Sequence, residues 1–408
     1  MGIVGAGQLA RMMCEAAGPL GIPVVVLAER PDDAAVPLAT ETLVGPPGDG
    51  TALRLLAGRA RVVTFDHEQV DVDLLASLEA GGTIVRPGPG TLRMAVDKVA
   101  MRSRLAGAGV AVPAFAPVVE GDAIEMAAQV EKFASDHGWP LVLKAARGGY
   151  DGKGVWPVDG APAALLVCER AAGAGLRLLV EERVPIDAEL AVLVARRPGG
   201  EAATWPTVQT VQVDGICREV LLPGCLDAAL ASQAQALALE VADVAGSTGV
   251  MAVELFSARG RLLVNEVAAR PHNTGHWTIE GAVTSQFENH LRTVLDLPVG
   301  RTEATAPAVA SVNVLGAHGG WDPAGGLERA LAVPGAHVHL YGKRPRPGRK
   351  LGHVTVCGAD PAVVRTRAWE AAAALGTPVP PGIACPAGGG DLAGTTTGPR
   401  SGGSGGSR

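Results

Sequence analysis

Basic charge, paired cysteines and long apolar runs are what this chain has little of. Its net charge of −6 gives no general attraction to nucleic acid or to an anionic membrane surface, so neither is expected as a partner. Six cysteines (Cys14, Cys168, Cys217, Cys225, Cys357 and Cys385) are scattered, with no C-x-x-C pair and no metal-ligand spacing. That pattern excludes a disulfide framework and reads as reduced thiols in a cytoplasm. No apolar run approaches the length of a membrane span, and no basic stretch followed by an apolar core opens the chain. Aromatics are only 3% of residues, so core bulk has to come from Ala, Val and Leu. A P-loop is missing too: Lys153 is followed by Gly154 where serine or threonine would be required.

What is present is the composition of an ordinary globular enzyme, 47% hydrophobic and 19% charged. A length of 408 residues exceeds one compact core and predicts two or three domains. Over 1–96, strands alternate with helices. GIVGAGQLARMMCEAA reads as strand, glycine turn and helix; PVVVLAE, RVVTF (61–65) and TIVRP (83–87) read as further strands, with TALRLLAGR and DLLASLEAG as helices between them. This alternation predicts a parallel α/β sheet covered on both faces. The chain opens almost inside its first strand, so a few residues of lead-in are expected to be missing.

Over 97–296 the pattern changes. A helix, DKVAMRSRLAGAG, is followed by longer strands such as RLLVEERV, ELAVLVARR, GVMAVELFS and GRLLVNEVA, with a second helix at 226–246. Hairpins of this kind predict an antiparallel α+β domain. A third, smaller, β-rich domain is expected over 297–376. The remainder, 377–408, ends in GTTTGPRSGGSGGSR and is expected to be a disordered Gly/Ser/Pro-rich tail.

Five motifs carry candidate chemistry. GAGQLA (Gly5 to Ala10) follows a strand and opens a helix, and Glu29 ends the next strand near the ~20-residue offset of a dinucleotide fold. Alone it fits a nicotinamide dehydrogenase, a tight turn without ligand, or an anion at a helix N-terminus. Gly148, Gly149, Gly152 and Gly154 surround Tyr150 and Asp151 between Lys144 and a run that includes Lys153. They form either a solvated turn or a flap whose N–H groups and lysines cover a phosphate.

Glu254 and Glu266 fall opposite one another if the ARG segment closes their strands with a three-residue loop. Adjacent carboxylates repel, so the pair makes sense around a divalent cation, and Mg²⁺ takes one or two carboxylates plus phosphates. The alternative is a solvent-facing edge. AARPHNTGHW follows directly and sets Arg270, His272 and Asn273 in a turn pinned by Pro271 and Gly275, a fixed cation beside a neutral donor that suits a carboxylate or phosphate. Lys343, Arg344, Arg346, Arg349 and Lys350, broken by Pro345 and Pro347, are either a solvated face or a rigid phosphate-binding loop.

In chain order, GAGQLARMM, VTFDHEQV, VLKAARGGYDGKG, VELF…VNEVAARPHNTGHWTIEGAVTSQFENHLR and YGKRPRPGRKLGHVTV resemble the ATP-grasp superfamily. Within it they resemble the purine-biosynthesis enzymes that carboxylate 5-aminoimidazole ribonucleotide. The resemblance implies an ATP-grasp fold with an N-terminal parallel α/β (preATP-grasp) domain and a small C-terminal β-rich domain. It implies ATP, bicarbonate and 5-aminoimidazole ribonucleotide as reactants, carboxyphosphate as intermediate, Mg²⁺ (Mn²⁺ as the alternative ion) and a homodimer.

Residue by residue, the resemblance implies that Lys98 and Lys144 hold ATP phosphates beneath a flap of Gly149, Tyr150, Asp151, Gly152, Lys153 and Gly154. Glu181, Glu182, Arg183 and Val184 would form the adenine hinge, and Glu189 would take the ribose. Glu254 and Glu266 would bind Mg²⁺ with Asn265 beside them. Catalytic roles would fall to Arg270, His272, Asn273, Lys343, Tyr150 and Asp151, and Gln8, Leu9, Glu68, Arg349 and Lys350 would line the ribonucleotide site. The chain departs from the family's GGGQL at Ala6 and from APRPHN at Ala269, while every charged role stays filled.

Overall fold

The computed structural model describes residues 1–149, 152–317 and 319–380. Tyr150, Asp151 and the tail beyond 380 lie outside the described residues, and so do the expectations placed on them. Among the described residues, strands β1 (Gly2–Val4), β2 (Val25–Ala28), β3 (Glu41–Val44) and β4 (Val63–Phe65) form a parallel sheet in the order β3-β2-β1-β4. Alternation along β1 and β2 sends Ile3 and Val26 into one core with Leu9 and Met13 of helix Gln8–Ala17. Val4, Val25 and Leu27 enter another with Leu53 and Leu56 of helix Gly50–Arg59. The sheet is therefore covered on both faces, as the alternation requires.

Two details differ from expectation. TIVRP is not a strand: Val85 makes only an isolated bridge to Val63, and the chain runs on into helix Pro89–Val96. The fourth strand is instead ETLV, an edge strand with no buried residue, so it lacks the apolar alternation that marks the others.

Next come β5 (Phe115–Val118), β6 (Leu141–Ala145), β7 (Val155–Val158) and β8 (Leu178–Glu182), an antiparallel sheet ordered β5-β8-β6-β7. Helices Ala123–His137 and Ala161–Ala174 cover it through Met126, Val130, Ala164 and Val167. The larger sheet takes β9 (Ala188–Arg196), β10 (Ala202–Thr204), β11 (Val208–Val213), β12 (Ile216–Leu222), β13 (Gly249–Ala258) and β14 (Arg261–Ala268). It then continues into the third segment, because β12 pairs with β15 (Ala308–Leu315). With β16 (Ala336–Leu340) and β17 (Lys350–Gly358) the order is β14-β13-β9-β11-β12-β15-β17-β16, β10 pairing with β9.

The segment expected as a separate C-terminal domain thus shares a hydrogen-bonded sheet with the one before it. Its own core is Val312, Val314, Leu351 and Val354 packed on Trp369 and Ala372 of helix Pro361–Ala374. Thr377 is buried, with its hydroxyl accepting from Leu315 N at 3.2 Å, and Val379 packs on the same core. The packed chain therefore runs past 376 into the segment that composition assigned to the tail. No helix among the described residues is long and apolar enough to cross a membrane.

Candidate active site

The hairpin β13–β14 sets the central pair of carboxylates. Ala258 pairs with Arg261, so the turn is the two residues Arg259 and Gly260, both at positive φ (50° and 72°), and not the three-residue loop expected. Regular pairing from that turn would put Asn265 opposite Glu254 and send Glu266 to the other face. A β-bulge after Val264 makes Asn265 the extra residue, and Glu266 comes to lie opposite Glu254. Both carboxylates and Asn265 then line a cleft of about 1790 Å³.

Charge in the cleft is unevenly balanced. Burial, then Glu266 and Glu189, push the Glu254 carboxyl up to about 7, against the pull of Lys350 and Lys98. Lys98 donates to Glu266 Oε1 at 2.6 Å. It opens helix Lys98–Gly107, whose N-cap Asp97 accepts from Val99 N and Ala100 N and is itself paired with Arg147 at 2.8 Å.

On the neighbouring wall, β6 carries Lys144 inward. Its ammonium reaches Asn265 Oδ1 at 3.1 Å and Glu181 Oε2 at 2.6 Å. Glu181, 2% exposed on β8, also takes Arg102 Nε at 2.6 Å. Burial holds Lys144 below its ordinary value against the pull of Glu181. Burial also opposes charge on Glu181, but Arg102 and Lys144 outweigh it and keep that carboxyl below the usual range. Glu181, expected in the hinge, therefore spends its side chain on positioning Lys144. Arg102 was not anticipated; its one sequence signal is the i+4 spacing from Lys98 on the same helix.

The opposite wall gathers the remaining predicted residues. Arg270 Nε donates to Glu68 Oε2 at 2.7 Å, joining two residues far apart in sequence. His272 Nε2 lies 3.8 Å from Glu254 Oε1, and burial, Arg270 and Lys350 keep its imidazole neutral by pulling it well below its ordinary value. Both amide atoms of the Asn273 side chain are buried without a protein partner, at the edge of the cleft. Lys343 Nζ donates to Gln8 Oε1 at 2.5 Å and ties the basic loop between β16 and β17 to the N-terminal domain. Leu9, Gly149, Gly152, Lys153, Glu182, Arg183, Val184, Glu189, Arg349 and Lys350 line the same cleft. Gly154 does not: its carbonyl accepts from Ala145 N at 2.8 Å at the base of the β6–β7 hairpin.

The GAGQLA turn has an occupant of its own. Gly7 N donates to Asp66 Oδ2, and a Cβ at Gly7 would stand 2.7 Å from that oxygen. The anion at this helix N-terminus is the protein's own carboxylate, delivered at the end of β4. Glycine here allows Asp66 to approach, and the dinucleotide reading loses the place where a pyrophosphate would sit.

Three family models match consecutive parts of the chain: a ribonucleotide synthetase preATP-grasp domain over 1–96, an ATP-grasp domain over 103–287 and a phosphoribosylaminoimidazole carboxylase C-terminal domain over 309–367. Fold and cleft together are those of an ATP-grasp enzyme. An N5-carboxyaminoimidazole ribonucleotide synthase of Mycobacterium bovis is 48% identical over 377 residues, covering 91% of this chain and 86% of the relative. The chain belongs to the N5-carboxyaminoimidazole ribonucleotide synthase family. Among solved structures, the N5-carboxyaminoimidazole synthase of Aspergillus clavatus, in complex with ADP and 5-aminoimidazole ribonucleotide, matches with a TM-score of 0.84 at 31% identity, over 92% of this chain and 98% of that one. The synthetase of Thermus thermophilus matches with a TM-score of 0.80 at 37% identity, over 92% and 97%.

Proposed function

We propose that this chain uses ATP to carboxylate 5-aminoimidazole ribonucleotide with bicarbonate, releasing N5-carboxyaminoimidazole ribonucleotide, ADP and phosphate. The observation that carries this reading is one cleft with two chemically distinct ends. Lys98, Lys144 and the glycine flap suit a triphosphate, while Arg270, Lys343 and the basic loop suit a second anionic reactant. The family relatives supply the identity of that reactant.

Bicarbonate is a poor electrophile, so its oxygen first takes the γ-phosphoryl group, giving carboxyphosphate and ADP. Carboxyphosphate then breaks to CO₂ and phosphate beside the amine, whose nitrogen bonds to the CO₂ carbon while the released phosphate takes the amine proton. The first step brings several negative charges together, and Lys98, Lys144 and Arg270 are the fixed cations placed to stabilise it. Carboxyphosphate hydrolyses readily, which gives a flap that excludes water its purpose.

Glu254 and Glu266 fit Mg²⁺ by donor chemistry: two facing carboxylates, one of them raised to about 7 by burial and then by the other. Among the described residues no group of three or more His, Cys, Asp or Glu could hold a metal ion, so phosphate and water oxygens would complete the shell. Bound there, Mg²⁺ (or Mn²⁺) would offset charge on the transferring phosphoryl group. The family resemblance implies a homodimer, and the scattered cysteines suit a cytoplasm; sedimentation of the purified chain tests the first.

The decisive experiment is ADP release with 5-aminoimidazole ribonucleotide, with and without bicarbonate. Turnover that requires both is the expected result. Absence of ribonucleotide-stimulated ADP release would overturn the reading.

A further inference from the structure

TSQFENHLR, Thr284 to Arg292, belongs to the longest stretch of family resemblance, yet the roles assigned above give it nothing to do. Gln286 opens the helix Gln286–Val294 and is fully buried. Its Oε1 accepts from His272 N at 2.8 Å, and its Nε2 donates to His272 O at 2.7 Å. One amide thus satisfies both backbone groups of a single residue, as a neighbouring strand would. The Thr278 hydroxyl adds a second tie, donating to Gly275 O at 2.6 Å and accepting from Gln286 N at 2.9 Å. Position 275 has to be glycine for the first tie to form, because a Cβ there would collide with the Gln286 amide.

What is held in this way is a catalytic-site imidazole. Thr274 N donates to His272 Nδ1 at 3.5 Å, and the Thr274 hydroxyl lies 3.0 Å from the same nitrogen. With Nδ1 accepting, the neutral ring carries its proton on Nε2, the atom that faces Glu254 Oε1. We propose that Gln286 is a positioning residue of the reaction: by gripping the His272 backbone it fixes which imidazole nitrogen faces Glu254 and where Asn273 enters the cleft. This rests on the function proposed above. A residue needed only to fill the space would be replaced without loss by methionine, which has nearly the same shape and no amide.

The test uses the full chain with Gln286→Met and Gln286→Glu. Three measurements are made: steady-state ADP release, ADP affinity by calorimetry, and ¹⁵N spectra of the histidine rings, with His272 assigned by its absence in His272→Gln. Gln286→Met is expected to lower kcat at least about 10-fold, the scale of a lost buried hydrogen bond. ADP affinity, set on the wall of Lys144 and the hinge, should stay within about two-fold, and the His272 ring should change from an Nε2–H signature to mixed tautomers. Gln286→Glu should recover activity relative to wild type as pH falls, because a protonated carboxyl can again donate to His272 O.

A Gln286→Met protein with wild-type kcat and an unchanged His272 spectrum would overturn the proposal. So would parallel losses of ADP affinity and kcat with an unchanged His272 spectrum, the mark of a general packing role. If the wild-type chain shows no ribonucleotide-dependent turnover, the functional reading fails, while the ring spectra still decide what Gln286 does.

Discussion

Glu254 lies directly opposite Glu266 because Asn265 is bulged out of the pairing between β13 and β14. One extra residue in the strand does two things. It brings a second carboxylate to the cleft face, and it leaves the Asn265 amide beside it, 3.1 Å from the Lys144 ammonium. The Glu254 carboxyl is raised by burial first and by the facing Glu266 next, so the cost of the like-charge pair is one part of that rise.

Stability of the metal-free protein should therefore depend on pH through Glu254. Its folded value of about 7 lies above the ordinary 4.5, so the stabilising proton is fully present below 4.5 and is lost as pH rises through 7. A shift of that size corresponds to about 3 kcal/mol. Urea unfolding in chelator at pH 6 and pH 8 should show wild type losing about 1 kcal/mol more, or gaining that much less, than Glu254→Gln as pH rises, because the buried histidines contribute equally to both proteins and cancel in the difference. Glu254→Gln should also turn over at least about 100-fold more slowly. Equal slopes for the two proteins would refute the assignment.

The buried group Arg102–Glu181–Lys144 predicts a large effect from a residue that touches no reactant. Arg102 and Glu181 are 1% and 2% exposed. Arg102→Met removes one of the two cations on Glu181 and leaves Lys144 as the other, so the loss should be sizeable yet below the about 3–5 kcal/mol of a buried charge left with no partner. Denaturant unfolding should show that loss, and calorimetry should show weaker ATP binding, because Lys144 becomes tied more tightly to Glu181. Wild-type ATP affinity in a destabilised Arg102→Met protein would separate stability from the site and remove this link.

Gly7→Ala should act on the ribonucleotide end and spare the ATP end. The new methyl would stand 2.7 Å from Asp66 Oδ2, so Asp66 or the first turn of helix Gln8–Ala17 has to shift. Overpacking of this kind costs about 1–3 kcal/mol. Gln8, which holds Lys343, moves with that turn. Kinetics should show KM rising several-fold for the ribonucleotide with KM for ATP unchanged; a change confined to ATP would contradict this division of the cleft.

The sequence made the periodic elements readable and hid what depends on pairing between distant segments. Helix Gln8–Ala17 and strands β13 and β14 follow from local pattern, and nearly all the described site residues came together in one cleft. The junction of β12 with β15 did not follow, because Glu219 meets Val312 across a separation that no local pattern encodes. Arg102 reads as an ordinary surface charge until Glu181 is placed against it. The bulge at Asn265 was missed for a related reason: its side chain is chosen by what faces it, Lys144, and not by its neighbours in the strand.

The histidines give the acid side of the pH profile. His290, fully buried on helix Gln286–Val294, accepts from Val250 N through Nδ1 at 3.0 Å and meets Thr64 Oγ1 through Nε2 at 2.7 Å. It thereby ties β4 of the N-terminal sheet to β13. Burial drops its pKa from 6.5 to about 3. A depressed histidine lets the unfolded chain take up a proton that the folded chain refuses, so the stability it leaves intact above 6.5 is lost as pH falls toward 3. At pH 5 the loss is about 2 kcal/mol. His290→Gln offers an amide acceptor and donor without a titrating ring, and its stability should fall less steeply between pH 7 and 5. His276 and His353 are also held well below their ordinary value by burial, so the slope should flatten without vanishing. Equilibrium unfolding at the two pH values decides it, and an unchanged slope would mean that His290 is not a source of the acid sensitivity.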